Sequence, residues 1–505
     1  MRRQGDATAR RAGRKNNYGV GRAQSPQSPS RSRRRPGGVG ETDGDGAPVG
    51  APLTVGDAKL IVRRMQEIAE VLAKPSFRKA AANFGWLFAE RAGRFVIGTV
   101  VGLFVARHLG PERLGALSYG VALVTLLGFV PALGLDAILK RELLQSPERT
   151  AELLASSFVA RVVAGVLAGG SVGIAVWAGW GGTGEEARLL AVLALGLLQP
   201  ALFLPELWLQ AHLRAKAAAV AQLGALAVAS GVRLWLIATD APLTAFAWVL
   251  VGEMAAGAAG FFAVARRAGL RMPVVAARRG TVRRLLAEAW PLMFASLAIV
   301  VYMKIDEVML RHLAGPAEVG VYAAAARLSE VWYFLPTALA SSVLPALLRV
   351  KGQDASEYAR QQQRYYDVSA AAAYALSVPV ALAAPWIVRT AYGAEFAAAG
   401  PILAVHIWSS VFVFLGVARG QWLVNEGLQT FYLAATAAGA VANMGLNFIF
   451  IPRWGGLGAA WATVISYGLA AWLASYCHPA VRATAAMQTR ALLIPLRGWS
   501  YLRRA

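Results

Sequence analysis

The sequence predicts an all-α polytopic membrane protein with about twelve transmembrane helices in two six-helix lobes. Hydrophobic residues make up 57% of the 505 residues and the mean hydropathy is +0.47, whereas soluble proteins contain about 45–50% apolar residues. Runs of about 20 apolar residues, the length that spans a bilayer, recur along the chain. A turn at residues 107–115 (RHLGPERLG) is repeated almost unchanged at residues 311–320 (RHLAGPAEVG). Such a duplication indicates two lobes around a central site.

The N-terminal residues 1–58 are rich in Arg, Gly, Pro and Ser and contain few large apolar residues. This composition cannot bury enough surface to fold, so we predict a disordered, basic cytoplasmic tail. Residues 59–82 place Ile61, Met65 and Leu72 at helical spacing among basic residues, which favours an amphipathic helix at the membrane interface. The net charge of +23 is concentrated in the tails and in alternate loops. This distribution favours anionic membrane lipids, and not nucleic acid, as a partner.

Six long apolar segments precede a basic linker at residues 266–286, and six follow it. The first lobe is predicted at residues 83–265 and the second at residues 287–476, followed by a cytoplasmic tail at residues 477–505. The predicted spans lie near residues 84–106, 115–136, 152–178, 187–209, 217–238, 243–265, 287–309, 319–347, 366–388, 398–422, 428–450 and 456–476.

The charges of the loops predict the orientation of the helices. Loops on one side, including the linker with its seven arginines, are rich in Lys and Arg, whereas the opposite loops are short and poor in cations. By the positive-inside rule, both termini face the cytoplasm. Residues 208–248 and 422–461 can be aligned at an offset of about 214 with the same orientation. The lobes are therefore predicted to be parallel repeats about an axis along the membrane normal.

Cationic side chains inside the predicted spans indicate a candidate binding site, because a charge at membrane depth is costly unless it faces a polar cavity. Five such cations would line a central cavity with positive potential and outnumber plausible acidic partners. The planar fork of arginine binds two phosphate oxygens at once, so the implied cargo is an anion that carries a pyrophosphate. The five predicted substrate-binding residues are Arg91, Arg94, Arg161, Lys304 and Arg327.

Helical spacing predicts that some of these charges pair. Glu90 and Arg94 are four residues apart, and Arg327 and Glu330 are three apart, so each pair lies on one helix face. An alternative interpretation is that the charges are neutralised pairs that only join helices. For the whole set this alternative is weaker, because the cations are in excess.

Acidic residues inside the spans are candidates for coupling transport to a proton or sodium gradient. Lys304 shares a helix face with Glu307, whereas Asp306 lies roughly opposite Lys304. Binding of H⁺ or Na⁺ to an acid in a polar cavity can bias inward against outward opening. The three predicted coupling residues are Glu90, Asp306 and Glu330.

Motifs of enzyme active sites were not found in the sequence. It has no Gly-rich phosphate loop, no His–Glu zinc spacing and no nucleophile elbow. Cys477 is the single cysteine, which excludes an intramolecular disulfide and a cysteine-based metal cluster. We therefore predict a protein that is not an enzyme and has no catalytic residues, metal site or cofactor.

Several segments resemble bacterial polysaccharide-unit flippases, the oligosaccharide-lipid translocases of the multidrug/oligosaccharidyl-lipid/polysaccharide exporter superfamily. The resemblance covers about residues 83–476 and is strongest in the first, seventh and eighth predicted helices. Lys304 departs from it, because many relatives have arginine there. The segments that carry the resemblance are NFGWLFAERAGRFVIGTVVGLFV with ARHLGPERLGALSYG (83–120), LGLDAILKREL (133–143) and YMKIDEVMLRHLAGPAEVGVYAAAARLSEVWYFLP (302–336).

The resemblance implies a two-lobed helical fold in the bacterial cytoplasmic membrane that flips undecaprenyl-pyrophosphate-linked oligosaccharide units by alternating access. The units would serve exopolysaccharide, capsule or O-antigen assembly, with a polysaccharide polymerase and a chain-length regulator as further partners. Among the residues above, it implies cavity roles for Arg91, Arg94, Lys304, Asp306, Arg327 and Glu330.

Three other functions are compatible with parts of the sequence. A cation-coupled multidrug exporter has the same fold, but its cavity should be acidic. A membrane glycosyltransferase or polymerase acting on lipid-linked sugars should have a large external loop with catalytic residues, and every predicted external loop here is short. A scaffold that recruits partners through its basic tail would lose its function when the tail is deleted.

Overall fold

The computed structural model describes residues 75–179 and 184–497, which form helices and turns without a strand in these ranges. They belong to one compact unit that begins at Glu70. The predicted tail at residues 1–58 and most of the predicted interfacial helix lie outside the described residues, as do residues 498–505. The first described helix begins at Pro75 and continues into the first membrane span, so residues 75–82 do not form a separate interfacial helix.

The first lobe contains the apolar segments before the linker. Its fourth predicted span is interrupted by a 3-10 segment at Leu195–Leu198, followed by Pro200 and Pro205, which lack the backbone N–H of a continuous helix. Its helices are α1 Pro75–Leu127, α2 Phe129–Ala132, α3 Leu135–Gln145, α4 Thr150–Trp177, α5 Glu185–Ala194, α6 Gln199–Leu202, α7 Leu204–Ala211, α8 Ala215–Ala238 and α9 Leu243–Arg267.

The second lobe contains the apolar segments after the linker. A 3-10 segment at Val331–Tyr333 interrupts its second predicted span, and the predicted C-terminal tail contains one helix among its described residues. Its helices are α10 Arg279–Leu313, α11 Pro316–Glu330, α12 Phe334–Val350, α13 Ala355–Tyr392, α14 Ala399–His406, α15 Ser409–Asn425, α16 Gln429–Ala471 and α17 Arg482–Leu492.

Ten helical segments in the described ranges are long and apolar enough to cross a membrane. Two of them are double, because α1 has 53 residues and α16 has 43. At 1.5 Å per residue, each of these helices is more than twice as long as the roughly 30 Å of a bilayer core. Each is broken by a glycine with non-helical backbone angles, Gly110 in α1 and Gly455 in α16. One span on each side of each break turns these two segments into four spans, which gives the predicted total of twelve.

The repeated turn has the same backbone conformation in both lobes. Gly110 has φ 69° and ψ 176°, and Gly315 has φ 95° and ψ 173°. Such positive φ values are readily adopted only by glycine. A proline follows each glycine and starts the next helix, where its missing N–H costs no hydrogen bond. The sequence repeat is therefore also a repeat of local structure.

Helix α10 begins at Arg279, inside the linker predicted at residues 266–286. Its first turns pack against the first lobe, where Leu285 and Ala289 lie in one apolar cluster with Leu139 of α3. Its later turns, after Pro291, lie among the helices of the second lobe. Helix α10 thus contacts the first lobe before Pro291 and the second lobe after it. Pro291 removes one hydrogen bond of the helix between the two parts.

Candidate functional site

A cavity of about 870 Å³ lies between the lobes. Helices α1 and α6–α9 of the first lobe and α10 and α11 of the second form its wall. This placement agrees with the prediction of a central site between repeated lobes. The charged side chains of the described wall are Glu90, Arg94, Glu206, Arg233, Glu253, Lys304, Glu307, Arg327 and Glu330.

The described wall holds five carboxylates and four cations. The prediction of a cavity in which cations are in excess is therefore wrong for these residues. Two of these acids, Glu206 and Glu307, are not among the site residues that the sequence predicts. Both side chains reach the cavity because α7 and α10 turn them towards the gap between the lobes.

Glu90 and Arg94 form the ion pair that their spacing predicts. The Arg94 Nε donates to Glu90 Oε1 at 2.8 Å, and the second guanidinium nitrogen bonds the same oxygen. The Glu90 side chain is only 11% exposed, whereas Arg94 is 44% exposed. Arg94 therefore keeps part of its guanidinium free for a ligand, and Glu90 does not.

Lys304 lies between two carboxylates of the second lobe. Its Nζ is 3.0 Å from Glu307 Oε1, as their shared helix face predicts, and 3.7 Å from Glu330 Oε2. Glu330 was predicted to pair with Arg327, and no ion pair between these two is present in the structure. Lys304 pairs with the Glu330 carboxylate because α10 and α11 lie side by side at this level.

A third ion pair, which the sequence did not indicate, joins two helices of the first lobe. Arg233 on α8 donates to Glu253 on α9 at 2.6 Å, and both side chains are less than 20% exposed. Both residues lie inside predicted spans, in the fifth and the sixth. A search for oppositely charged residues on consecutive apolar segments would have found the pair.

Arg327 has no carboxylate within 4 Å among the described residues, in contrast to the other three cations of the cavity wall. Its guanidinium lies against Gly102 of α1, where an added Cβ would come within 2.9 Å of Nη1. Glycine at this position therefore provides the space that the arginine occupies. Arg327 is the cavity cation best placed to bind an anionic ligand.

Arg161 does not line the cavity, contrary to the prediction. Its side chain is 2% exposed and lies in a polar cage within the first lobe. It donates to Pro200 O at 2.8 Å, to Ala132 O at 3.3 Å and to Asp136 Oδ1 at 2.6 Å. These carbonyls are free because the helices are broken beside them. The side chain of Arg91 lies outside the described part of the structure.

Asp306 is also absent from the cavity wall. It is 3% exposed and accepts hydrogen bonds from Tyr322 and Thr463 at 2.7 Å and from Asn447 at 2.6 Å. Asn443 extends this cluster through its bond with Asn447 at 3.0 Å. The carboxylate lies beside hydroxyl and side-chain amide oxygens, which are the kind of ligand that a small hard cation prefers.

The sequence analysis did not identify the uncharged partners of Asp306, because it considered only charged residues inside the spans. Asn443 and Asn447 are four residues apart on α16, and Thr463 lies beyond the break at Gly455. A helical i, i+4 pair of asparagines in an otherwise apolar span is a detectable signal. Their convergence on Asp306 depends on how α10 and α16 pack, which the sequence does not show.

Two family models match the chain. The model described as "Polysaccharide biosynthesis protein" matches residues 80–351, more than half of the chain. The model described as "MatE" matches residues 291–449. No curated protein sequence matches the chain.

Solved structures with the same fold are distant in sequence. "Lipid II flippase MurJ, inward closed conformation" matches with a TM-score of 0.62 and 14% identity, covering 80% of this chain and 91% of that one. An inward-facing multidrug resistance MATE family transporter of the MOP superfamily matches with a TM-score of 0.58 and 15% identity, covering 80% and 95%.

A MOP superfamily transporter from Pyrococcus furiosus Vc1 (DSM3638) matches with a TM-score of 0.54 and 15% identity, covering 84% of this chain and 98% of that one. The binding pocket of that transporter is reported to have reverse polarity, which suggests a different function for it. The MurJ and MATE folds consist of twelve helices in two lobes. The predicted fold class is thus confirmed.

Proposed function

This chain belongs to the polysaccharide biosynthesis protein family, and on that basis we propose that it flips lipid-linked oligosaccharide units across the membrane by alternating access. The proposed carrier is undecaprenyl pyrophosphate, and the proposed products feed exopolysaccharide, capsule or O-antigen assembly. A polysaccharide polymerase and a chain-length regulator would act on the flipped units. The chain itself would act as a transporter and not as an enzyme.

The observation that carries this proposal is Arg327, a cation of the cavity wall that has no carboxylate partner among the described residues. Its guanidinium can bind two oxygens of a pyrophosphate in parallel, which the geometry of arginine favours. The three paired cations and their carboxylates leave a wall with hydrogen-bond donors and acceptors but little net charge. Such a wall suits the hydroxyl groups of a sugar unit, which need polar partners when they leave water.

The test is flipping of a lipid-linked oligosaccharide by the full-length protein in proteoliposomes. Arg327→Gln should lower the rate about ten- to hundredfold, since a hydrogen bond to a charged group contributes about 1.5–3 kcal/mol. Arg327→Lys should recover part of the rate, because an ammonium keeps the charge without the fork. Arg453→Gln is the matched control, since the one partner of Arg453 within the described ranges is Ile449 O of its own helix.

A cation-coupled exporter of lipophilic cations is the second candidate, and Glu206 favours it. This cavity acid accepts a hydrogen bond from Gln210 at 2.8 Å and has no cation within 4 Å among the described residues. The same proteoliposomes would be given a fluorescent lipophilic cation. Export of the cation that depends on Glu206 and not on Arg327, with no flipping of the oligosaccharide, would favour this candidate and contradict the flippase.

Coupling to an ion gradient is proposed for Asp306. Binding of either H⁺ or Na⁺ to its carboxylate would neutralise one negative charge in a cluster that joins α10, α11 and α16, and such a change can bias the equilibrium between two conformations. Asp306→Asn should abolish stimulation of flipping by either a proton or a sodium gradient. Asp240→Asn, at an exposed turn, is the control. If the wild type is indifferent to both gradients, the coupling proposal is wrong.

Glu90 and Glu330 are the other two predicted coupling residues, and their role remains a proposal. Each already faces a cation, Arg94 and Lys304 respectively. Protonation of either carboxylate would release its cation to the cavity. Asp306 is the better candidate, because no cationic side chain forms an ion pair with it among the residues that the structure describes.

Anionic membrane lipid is the further partner proposed for this chain. A crevice of about 700 Å³ between α8 and α9 has apolar walls and the cations Arg214 and Lys216 at its edge. The Lys216 Nζ lies 5.3 Å from the centre of the Trp86 ring. An anionic phosphate beside the two cations, with its chain along the apolar wall, would satisfy both parts of the crevice.

A location in the bacterial cytoplasmic membrane with both termini inside is proposed from the loop charges. In this orientation the repeated turns around Gly110 and Gly315 face outward.

A further inference from the structure

The repeated turns meet at the end of the molecule that is proposed to face outward. A Cβ added to Gly115 would overlap the carbonyl oxygen of Pro316, and a Cβ added to Gly320 would overlap the carbonyl oxygen of Pro111. Each glycine therefore lies directly on the first turn of the opposite helix. The contact is reciprocal, as a two-fold axis between the repeats requires.

This contact lies at the end of the cavity. Leu114, Leu117 and Ser118 of α1 line the cavity, and Gly115 between them is buried against the other lobe. The largest apolar cluster of the described residues joins both lobes at the same level, with Leu109 and Leu310 among its members. The cavity is thus separated from this end of the molecule by packed backbone and apolar side chains.

Two equivalent arginines of the repeated turns each cross to the opposite lobe. Arg107, at the end of the first span of α1, donates to Ala391 O at 2.7 Å and to Thr390 O. Arg311, at the end of α10, donates to Glu186 at 2.7 Å. Thr390 and Glu186 flank the turns between the third and fourth spans of the two lobes, so the two contacts are related by the same pseudo-two-fold axis.

We infer that this assembly is the outer gate of the protein, in which Gly115 and Gly320 form the closing contact and Arg107 and Arg311 hold it closed. The inference rests on the proposed alternating-access function. Opening the cavity towards this side requires the lobes to separate here, and all four contacts lie across that boundary. The weak, partly exposed arginine contacts set how often the gate opens, since they exchange with water at small cost.

Braces within each lobe would remain when the gate opens. Glu318 accepts from Gly456 N at 2.7 Å, and Glu185 accepts from Leu243 N at 2.9 Å. Both bonds join the start of one span to the start of another in the same lobe. This distribution of contacts is expected when two lobes rock as bodies around a shared boundary.

The test measures the distance between spin labels at Thr239 and Ala398, two exposed positions at this end in opposite lobes. Labels are attached to engineered cysteines in the full chain, with Cys477, the single native cysteine, replaced by serine. Arg107→Gln and Arg311→Gln should each raise the ratio of long to short distances about two- to fivefold, as expected for exposed hydrogen bonds of a charged side chain to carbonyls and for an exposed ion pair, respectively. Arg453→Gln should leave the distances unchanged.

Two further variants separate a gate from a merely structural contact. Arg311→Glu combined with Glu186→Arg reverses the ion pair and should restore the distances that either single change shifts. Gly320→Ala should displace nearly the whole population to the long distance, because its Cβ has no space in the closed form. Gly231→Ala is the control, since no atom lies within 4 Å of a Cβ added there.

Unchanged distances in both arginine variants, or no restoration by the reversed pair, would overturn the inference. The readout does not depend on cargo. A shift in the distances without any oligosaccharide flipping would support the gate and contradict the proposed cargo, whereas normal flipping with unchanged distances would do the opposite.

Discussion

Single arginines inside this membrane protein occupy three different environments. Arg327 faces the cavity without a carboxylate partner among the described residues, whereas Arg94 shares its charge with Glu90. Arg161 is enclosed by two backbone carbonyls and Asp136. All three residues are arginines, so their surroundings alone decide whether the charge binds a ligand, forms an internal pair or holds a broken helix together.

Arg161→Ala should reduce the amount of folded protein and leave flipping per folded molecule within about twofold of the wild type. The change removes hydrogen bonds from a charged donor, each of which contributes about 1.5–3 kcal/mol. Fluorescence-detected size exclusion measures the folded amount, and flipping is divided by it. Arg327→Ala is expected to show the reverse pattern. A well-folded but inactive Arg161→Ala variant would contradict the structural role.

Arg94→Ala should lower flipping more than the double variant Glu90→Gln with Arg94→Gln. The single change leaves the Glu90 carboxylate, which is 11% exposed, without its partner, so the cavity wall of each folded molecule gains an uncompensated negative charge that repels an anionic cargo. The double change removes both charges and keeps hydrogen-bonding groups. The measurement is the flipping rate at equal folded amount. If the double variant is the less active, Arg94 contacts the cargo directly and its charge is required.

Helix α10 links the lobes through ion pairs at its first turns, at the end opposite to the repeated turns. Arg284 donates to Glu142 of α3 at 2.9 Å, and Glu288 pairs with Arg141. The Arg284 guanidinium, with help from Arg141, lowers the pKa of the Glu142 carboxyl below its usual value. Since the turns after Pro291 belong to the second lobe, α10 connects the lobes both through its backbone and through these ion pairs.

Glu142→Gln should lower the thermal stability of the purified protein at neutral pH. A carboxyl whose pKa is lower in the folded state stabilises the protein above its unfolded pKa of about 4.3, and this contribution is lost as the pH falls through the folded pKa. The difference in Tm between variant and wild type should therefore disappear in acid. Glu148→Gln, at an exposed position, is the control. A difference that is independent of pH would exclude the ion pair as its cause.

The whole molecule combines two similar lobes, and its proposed orientation in the membrane rests on the charges of the loops. Cysteines at Asp240 and at Gln353, in a background without Cys477, should react differently with a membrane-impermeant thiol reagent added to whole cells. Asp240 is expected to be labelled from outside, and Gln353 only after the membrane is permeabilised, because the loops around Gln353 carry the basic residues. Labelling of Gln353 in intact cells would invert the proposed topology.

Fold and membrane character were determined by the sequence itself. Runs of apolar residues fix the helices, since no other arrangement satisfies the backbone in lipid, and the repeated turn with its Gly–Pro step fixes the two-lobe arrangement. Spacing on one helix also predicted the pairs Glu90–Arg94 and Lys304–Glu307, because i, i+3 and i, i+4 neighbours are set by helix geometry.

Only the tertiary structure decided which charges share a space. Glu330 pairs with Lys304 and not with Arg327. Arg161 pairs with Asp136 outside the cavity wall. Asp306 is hydrogen-bonded to Asn447 and Thr463. Each of these contacts joins residues on different helices, and their distance depends on how the helices cross. Helix crossing is set by the packing of small and apolar residues over the whole boundary, which the periodicity of one segment does not contain.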